Sequence, residues 1–242
     1  MSTGGRGQNR QELATVLSEV ARTWRAAPDV TATVEAITRA AVSHLQGTEY
    51  AGVALCSKGK ITTVAATDDL VTEIDQLQYK VGEGPCVDAI THHRTYRTGD
   101  LATEGRWPNF ALAASAAGVR SMLSYRLFDS STTIGALTLY STEPDAFSDD
   151  TVADGALFAG HAAIALATAQ TEAQLVTALE SRDQIATAKG ILMERHRLDP
   201  AQAFAMLVDA SQNSNVKLHD VAAWLIDDTD QLRREFPEPV AG

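Results

Sequence analysis

Cysteine, positive charge and long apolar runs are all scarce in this sequence of 242 residues. Its two cysteines, Cys56 and Cys86, are too few for a disulfide framework. We predict that both are small buried side chains in a reducing cytosol. Histidine and cysteine never occur at the spacing of metal ligands, so we predict no structural zinc and no other cofactor.

No apolar run reaches the roughly 18 residues that a membrane span requires, so we expect no membrane-crossing helix. Residues 1–10 are polar and rich in glycine, and they lack the apolar stretch of a secretory signal. Together these absences predict a cytoplasmic location.

Basic residues are outnumbered, because 20 Lys and Arg face 31 Asp and Glu, for a net charge of −11. Affinity for a nucleic-acid backbone comes mainly from Lys and Arg against phosphates. An acidic surface therefore argues against non-specific nucleic-acid binding. Any nucleic-acid site must be local and selective.

The spacing of apolar residues predicts an α+β protein with a long helix after its sheet. Helices are predicted at 10–26, 28–46, 70–77, 86–92 and 107–117. Strands are predicted at Tyr50–Cys56, Lys60–Ala66, Thr95–Arg97, Ser121–Phe128 and Thr133–Tyr140. A nearly unbroken helical pattern follows from Asp149 to Leu198, and two shorter helices begin at Asp199-Pro200 and near Asn215. The predicted divisions are 1–9, a disordered tail; 10–160, an α+β domain; 161–180, a connecting coiled-coil helix; and 181–236, a three-helix domain.

The long helix carries a basic stripe beside its apolar face. At about 100° per residue, Arg182, Ala186, Lys189 and Met193 fall within about 60° of one another, and His196 lies at the edge. Long cations beside small Ala186 suit a flat or phosphate-bearing partner. The alternative is an ordinary solvated helix face.

The two shorter helices add further candidates for a binding face. The segment Ser211–Asn215, with Asn213 within it, is rich in amide and hydroxyl groups that can recognise the edges of unpaired bases, although such residues also form turns and caps. Phe204 is predicted to lie in the core. Lys217 and Trp224 share one side of the last helix, and we predict a partly buried packing role for Trp224, with stacking on a base as the alternative.

The C-terminal residues closely resemble the ANTAR domain. The resemblance rests on Ala178–Met193, Ala203-Phe204, Ser211, Lys217-Leu218 and Asp220–Ala222. It implies a three-helix domain that binds RNA hairpins with short apical loops and thereby controls transcription termination or translation. The RNA-binding candidates are Arg182, Ala186, Lys189, Gly190, Met193, His196, Ser211, Asn213, Asn215, Lys217 and His219.

His219 is a departure from the family pattern, because it stands where the ANTAR domain usually has arginine. Histidine titrates near neutrality, so we hypothesise that a phosphate contact at this position is weaker or depends on pH.

The preceding region resembles a GAF domain, a type of sensor often joined to ANTAR. The matching residues are Val81–Cys86, Arg106–Pro108, Gly118–Met122, Gly135–Ser141 and Ala146-Phe147. The resemblance implies an antiparallel sheet flanked by helices, with helices on one side and a pocket on the other. It names no ligand. Glu83, Cys86 and Trp107 are candidates to contact a small-molecule effector, and the alternative for each is a packing or turn role.

Two other functions remain open. Some GAF folds reduce free methionine sulfoxide through a nucleophilic and a resolving cysteine. The helical domain could instead bind duplex DNA, although it lacks a recognition helix rich in Lys and Arg. The resemblances favour an RNA-binding regulator, so no catalytic residue is predicted. A homodimer seam is predicted along the long helix at Leu157, Ile164, Leu175 and Leu179.

Overall fold

A computed structural model describes residues 15, 17–92, 95–130 and 132–235 of the protein. The predicted tail at 1–9 lies outside the described residues. The helices are α1 (17–25), α2 (Val30–His44), α3 (Asp69–Val81), α4 (Pro85–His92), α5 (Pro108–Ala116), α6 (Asp149–His196), α7 (Pro200–Ser214) and α8 (Leu218–Glu235). The strands are β1 (Tyr50–Ser57), β2 (Lys60–Ala66), β3 (Tyr96–Thr98), β4 (Ser121–Asp129) and β5 (Thr132–Ser141).

One antiparallel sheet contains these five strands in the order β2-β1-β5-β4-β3. Lys58 and Gly59 join β1 to β2 with φ of 51° and 78°. Two positive φ angles in a two-residue loop match the twist of a hairpin. Gly135 in β5 faces β1 so closely that a Cβ there would lie 1.8 Å from the carbonyl oxygen of Ala54. The predicted antiparallel sheet with flanking helices is confirmed.

One face of the sheet is covered by α1, α2 and the beginning of α6. Trp24 of α1 meets Phe158 of α6 edge to face, with 5.1 Å between ring centroids. Both side chains are buried with Leu123, Tyr125 and other residues of the largest apolar cluster. The side chains of a strand alternate between its faces, so the neighbours of Tyr125 in β4 point to the opposite side.

Helices also cover that opposite side, which corrects the expectation that helices lie on one side only. Trp107 and Phe110, at the start of α5, pack with Val71 and Ile74 of α3 in a second apolar cluster. Cys86 and Ile90 of α4 are buried against Ala54 and Ala136 of the sheet. Helix α3 extends beyond the predicted range 70–77, and Gly82 ends it in the left-handed conformation with φ 71°.

Helix α6 could cross a membrane by length and composition alone, because an 18-residue window has a mean hydropathy of 1.4. Core helices of globular proteins pass the same test. Phe158, Ala162 and Leu166 of this helix are buried in the main core of the sheet domain. Its composition is therefore weak evidence for a membrane span.

The chain divides into two compact units, Met1–Thr171 and Glu172–Gly242. In the second unit, the C-terminal part of α6 packs with α7 and α8 around Ala188, Leu192, Ala203, Leu207 and Ala222. Asp199 and Gln202 form a reciprocal cap at the start of α7, and Asn215 ends that helix in the left-handed conformation. Such caps fix where short helices begin and end.

Two aromatic side chains of this unit lie elsewhere than predicted. Phe204, expected in the core, is 42% exposed, and Trp224, expected to be partly buried, is 66% exposed. Ala203 and Leu207 fill the core position of α7. The core of three short helices is too small to cover every large apolar residue.

Candidate functional sites

The predicted basic stripe lies on the surface of α6. Arg182, Ala186, Gly190 and His196 are exposed. Lys189 is half-buried, and Met193 is partly buried against the core of the three helices. A Cβ added at Gly190 would meet no atom within 4 Å, so the surface beside Lys189 is open. The stripe therefore presents two cations beside small side chains, as its sequence predicted.

Lys189 reaches across to α7. Its Nζ lies 6.0 Å from the ring centroid of Phe204. This distance is at the outer limit of a cation–π interaction, so the ammonium can leave the ring at little cost. The exposed ring of Phe204 on α7 therefore lies directly beside the basic stripe of α6.

The cluster Ser211–Asn215 has a structural role at the end of α7. The Ser211 hydroxyl donates to the carbonyl oxygen of Val216 at 2.6 Å, and Asn215 adopts a φ of 54°. Asn213 and Asn215 remain exposed. The turn role and the exposed amides coexist here, and base recognition by this cluster stays a prediction.

Lys217 and His219 lie at the start of α8, where Lys217 is exposed. His219 is half-buried, and its Nε2 lies 3.1 Å from Oδ1 of Asp220. A protonated His219 would thus share its charge with a neighbouring carboxylate. This pairing weakens the case for His219 as an independent phosphate contact.

Inside the GAF-like unit, the buried carboxylate of Asp75 accepts hydrogen bonds from its own helix and from two strands. Asp75 of α3 is 1% exposed. It accepts from the hydroxyls of Tyr140 at 2.5 Å and Thr63 at 2.7 Å, and from Nε2 of Gln78 at 3.0 Å. Because the Thr63 proton goes to Asp75, the Tyr79 hydroxyl 2.8 Å away donates to Thr63. Burial raises the pKa of Asp75 to about 6, although these hydrogen bonds oppose the rise.

This network was not predicted from the sequence. Asp75 and Gln78 occupy the same helix face as buried Val71 and Ile74, at the i, i+4 and i, i+7 positions from Val71. Polar residues at such apolar positions were the available signal. The backbone N–H of Cys86 donates to Oε1 of Gln78 at 2.9 Å, which connects the network to α4.

Cys86 is fully enclosed beside this network. Burial, followed by the nearby negative charge of Asp75, raises the pKa of the Cys86 thiol far above its usual range. A thiolate is the nucleophilic form of cysteine, and such an environment disfavours it. Half-buried Cys56 packs against the small apolar cluster that contains Cys86 and Ile90. The surroundings of Cys86 therefore speak against the thiol-enzyme alternative.

Glu83 and Trp107 have structural partners. Both carboxylate oxygens of Glu83 bind the start of α5, accepting from the backbone N–H and side-chain amide of Asn109 at 3.0 and 2.7 Å. Trp107 is buried, and its indole N–H donates to Asp88 at 2.9 Å. These contacts establish the predicted packing and turn roles, and effector binding by Glu83, Cys86 or Trp107 remains a prediction.

Side chains of β3 and β4 form hydrogen bonds and an ion pair with the first turn of α6. The Tyr125 hydroxyl donates to the carbonyl oxygens of Val152 at 3.0 Å and Thr151 at 3.3 Å. Arg97 of β3 contacts the Asp149 carboxylate at 2.8 Å. The residue before Tyr125, Ser124, hydrogen-bonds Thr138 within the interior on the other face of the sheet. Strand β4 thus connects the interior on one face of the sheet with the start of α6 on the other.

The fold of the first unit is that of a known domain family. Residues 27–167 match the GAF domain family, and because the match covers more than half of the chain, the protein belongs to that family. The C-terminal helices carry an ANTAR domain, matched at residues 173–226. The predicted combination of GAF and ANTAR domains is confirmed. A search of curated proteins found no match.

Solved structures with the same fold share little sequence with this chain. The GAF domain of a phosphoenolpyruvate-protein phosphotransferase from Coxiella burnetii has a TM-score of 0.54 at 15% identity, over 67% of this chain and 96% of that one. The photosensory core module of a Stigmatella aurantiaca phytochrome has a TM-score of 0.57 at 12% identity, over 81% and 44%. The reduced form of fRMsr from Staphylococcus aureus has a TM-score of 0.50 at 15% identity, over 64% and 94%. At these identities the similarity shows the fold alone.

The two domains together support an RNA-binding regulator with a sensory input rather than an enzyme. Domains of both kinds are typically soluble.

Proposed function

We propose that the protein binds hairpin loops in nascent or messenger RNA and thereby controls transcription termination or translation in response to an effector. The observation that carries the proposal is the stripe with Arg182, Ala186 and Lys189 on α6, inside the ANTAR domain. It places cations and an open surface together in a protein whose net charge is −11. The acidic remainder of the protein would suppress non-specific backbone binding.

A homodimer is the second part of the proposal. Leu157, Ile164, Leu175 and Leu179 of α6 are all exposed. At about 100° per residue they fall within about 60° of one another on the helix. Residues 171–180 are exposed without exception, and an isolated helix of this length is marginal in water. A second copy of the chain would cover the stripe and support this stretch.

Control by an effector is the third part. A cytoplasmic effector bound by the GAF domain would reach α6 if it shifted β4, because the Tyr125 hydroxyl of β4 is bonded to the first turn of that helix. The contacts of Tyr125 and Arg97 with that turn supply a physical route from the sensor to the helix that carries the RNA-binding stripe. A coupling of this kind requires two states with different contacts.

Replacing Lys189 or Arg182 with alanine tests the RNA site. Each change should weaken hairpin binding by about tenfold, because a charge-assisted contact with phosphate is lost, and lower the salt dependence by about one ion. Full-length protein would be titrated with a pool of RNA hairpins whose short apical loops are randomised, and with duplex DNA as the competing partner.

The matched control is Lys80→Ala, an exposed lysine of the sensor unit, which should leave RNA affinity unchanged. Unchanged affinity in both Arg182→Ala and Lys189→Ala, with helix content preserved in circular dichroism, would mean that this face does not bind RNA. Preference for duplex DNA would replace the proposal with the DNA-binding alternative.

Placing a charge in the proposed seam tests the dimer. Leu175→Glu combined with Leu179→Glu should weaken self-association at least tenfold, because two carboxylates would be buried without partners in each copy. Thr177→Glu, on the opposite side of the helix, should have no such effect. Sedimentation velocity across a concentration series measures the change, and a wild-type protein that remains monomeric throughout would contradict the proposed seam.

A further inference from the structure

Two aromatic side chains of the C-terminal unit are exposed among the residues that the structure describes, and their surroundings have opposite charge. Phe204 is 42% exposed and lies beside Lys189. Trp224 is 66% exposed on α8, where three carboxylates on its side of the helix, those of Asp220, Asp227 and Asp228, outnumber the ammonium of Lys217 seven residues before it. A phosphate backbone would be attracted to the first ring and repelled from the second.

We propose that the ring of Phe204 is a stacking platform for one unpaired base of a bound RNA loop, while Lys189 contacts a phosphate next to that base. The inference rests on the proposed RNA-binding function and deepens it by assigning a base contact that the basic stripe alone does not supply. Phosphate contacts position a nucleic acid, whereas contacts with bases give preference for unpaired or particular nucleotides.

The position of Phe204 on its helix supports this role. Buried Ala203 and Leu207 anchor α7 in the core. At about 100° per residue, Phe204 and Ser211 differ by only about 20° around the helix axis. The ring therefore lies between the basic stripe of α6 and the exposed amides at the end of α7. One continuous surface then contains cations, an aromatic face and hydrogen-bonding groups.

The charges around the platform fit the same partner. On α6, Arg182 and Met193 lie within about 40° of Lys189 around the helix, whereas Asp183 and Glu194 are displaced by about 120° or more. The ammonium of Lys189 is 6.0 Å from the ring centroid. Because a contact at this distance is weak, Lys189 can turn to a phosphate while the ring face receives the base.

Substitutions that separate aromatic stacking from apolar packing test the proposal. The probe is the hairpin selected by wild-type protein from the pool with randomised loops, and the protein is the full chain. Phe204→Ala and Phe204→Leu should each weaken binding by about tenfold, because stacking requires a ring. Phe204→Tyr should bind within about twofold of the wild type, because it retains the aromatic face. Trp224→Ala, which removes the other exposed ring, should leave affinity unchanged.

Abasic substitutions in the loop supply the independent readout. At the stacked position, removing the base should weaken wild-type binding by about tenfold and Phe204→Ala binding hardly at all, since both changes remove the same contact. Equal losses in the two proteins at every loop position would overturn the platform. So would wild-type affinity in Phe204→Leu.

Failure of the platform is distinguishable from failure of the proposed function. If Lys189→Ala and Arg182→Ala weaken hairpin binding but Phe204→Ala does not, the RNA site stands and the stacking contact is wrong. If wild-type protein selects no hairpin from the pool, the proposed function fails and the platform fails with it.

Discussion

Gly155→Ala is expected to destabilise the sensor unit by about 2 kcal/mol, although alanine normally stabilises a helix relative to glycine by about 1 kcal/mol. A Cβ at this position in α6 would lie 2.2 Å from the Tyr125 hydroxyl oxygen and 2.6 Å from the ring carbon that carries it. Tyr125 is 2% exposed and bonded to two carbonyl groups of α6, so its ring has no room to withdraw. Either the ring or the helix must move.

Gly160→Ala is the matched control, because a Cβ there would meet no atom within 4 Å. It should raise the free energy of unfolding by up to about 1 kcal/mol, so the two variants differ in sign. Denaturant unfolding followed by tryptophan fluorescence measures both, since Trp24 and Trp107 are buried in the sensor unit. Stabilisation by Gly155→Ala would show that Tyr125 does not press on the helix.

Asp75→Asn is expected to change the pH dependence of stability, because the pKa of Asp75 in the folded protein is raised to about 6 from 3.8. Between these values the folded state binds more protons than the unfolded state, so this group lowers stability as pH rises from about 4 to 6. The change amounts to about 3 kcal/mol. The stability of wild type relative to Asp75→Asn should fall by most of this amount between pH 4 and pH 7.

Comparison with the asparagine variant is necessary because other carboxyl groups act in the opposite direction. The pKa of Glu104, for instance, is lowered to about 2 by hydrogen bonds from Arg106, so it contributes stability that is lost on acidification. Asp69→Asn, an exposed change at the start of the same helix, controls for the loss of one carboxylate. A constant difference between wild type and Asp75→Asn across this pH range would contradict the prediction.

Most of the fold followed from local patterns in the sequence. The strands β1, β2, β4 and β5 lie within a residue or two of their predicted bounds, and the Asp199-Pro200 start of α7 is confirmed by its cap. Caps and runs of strand-forming residues between turns are local properties, so the sequence reports them directly. The end of α3 was harder, because Tyr79 and Val81 contribute to contacts that exist only in the folded unit.

The sites were less predictable, since they depend on residues that are distant in the chain. Arg182 and Lys189 lie on one helix, and a helical wheel drawn from the sequence already places them on the same face. Thr63, Asp75 and Tyr140 meet only after three elements pack together. Phe204 has the spacing of a core residue, and only the small size of the core leaves it exposed. Sequence periodicity reports which side of a helix is apolar, but not how much of that side its neighbours can cover.

Because Cys86 is fully buried, the reactivity of its thiol can report how often the surrounding structure opens. An alkylating reagent should modify half-buried Cys56 in the folded protein, whereas it should reach fully buried Cys86 only when the surrounding structure opens locally. The rate at which Cys86 is modified would therefore measure how often the interior of the sensor unit opens. A compound that holds the interior closed would therefore reveal itself by slowing the reaction, even when the target RNA is not known.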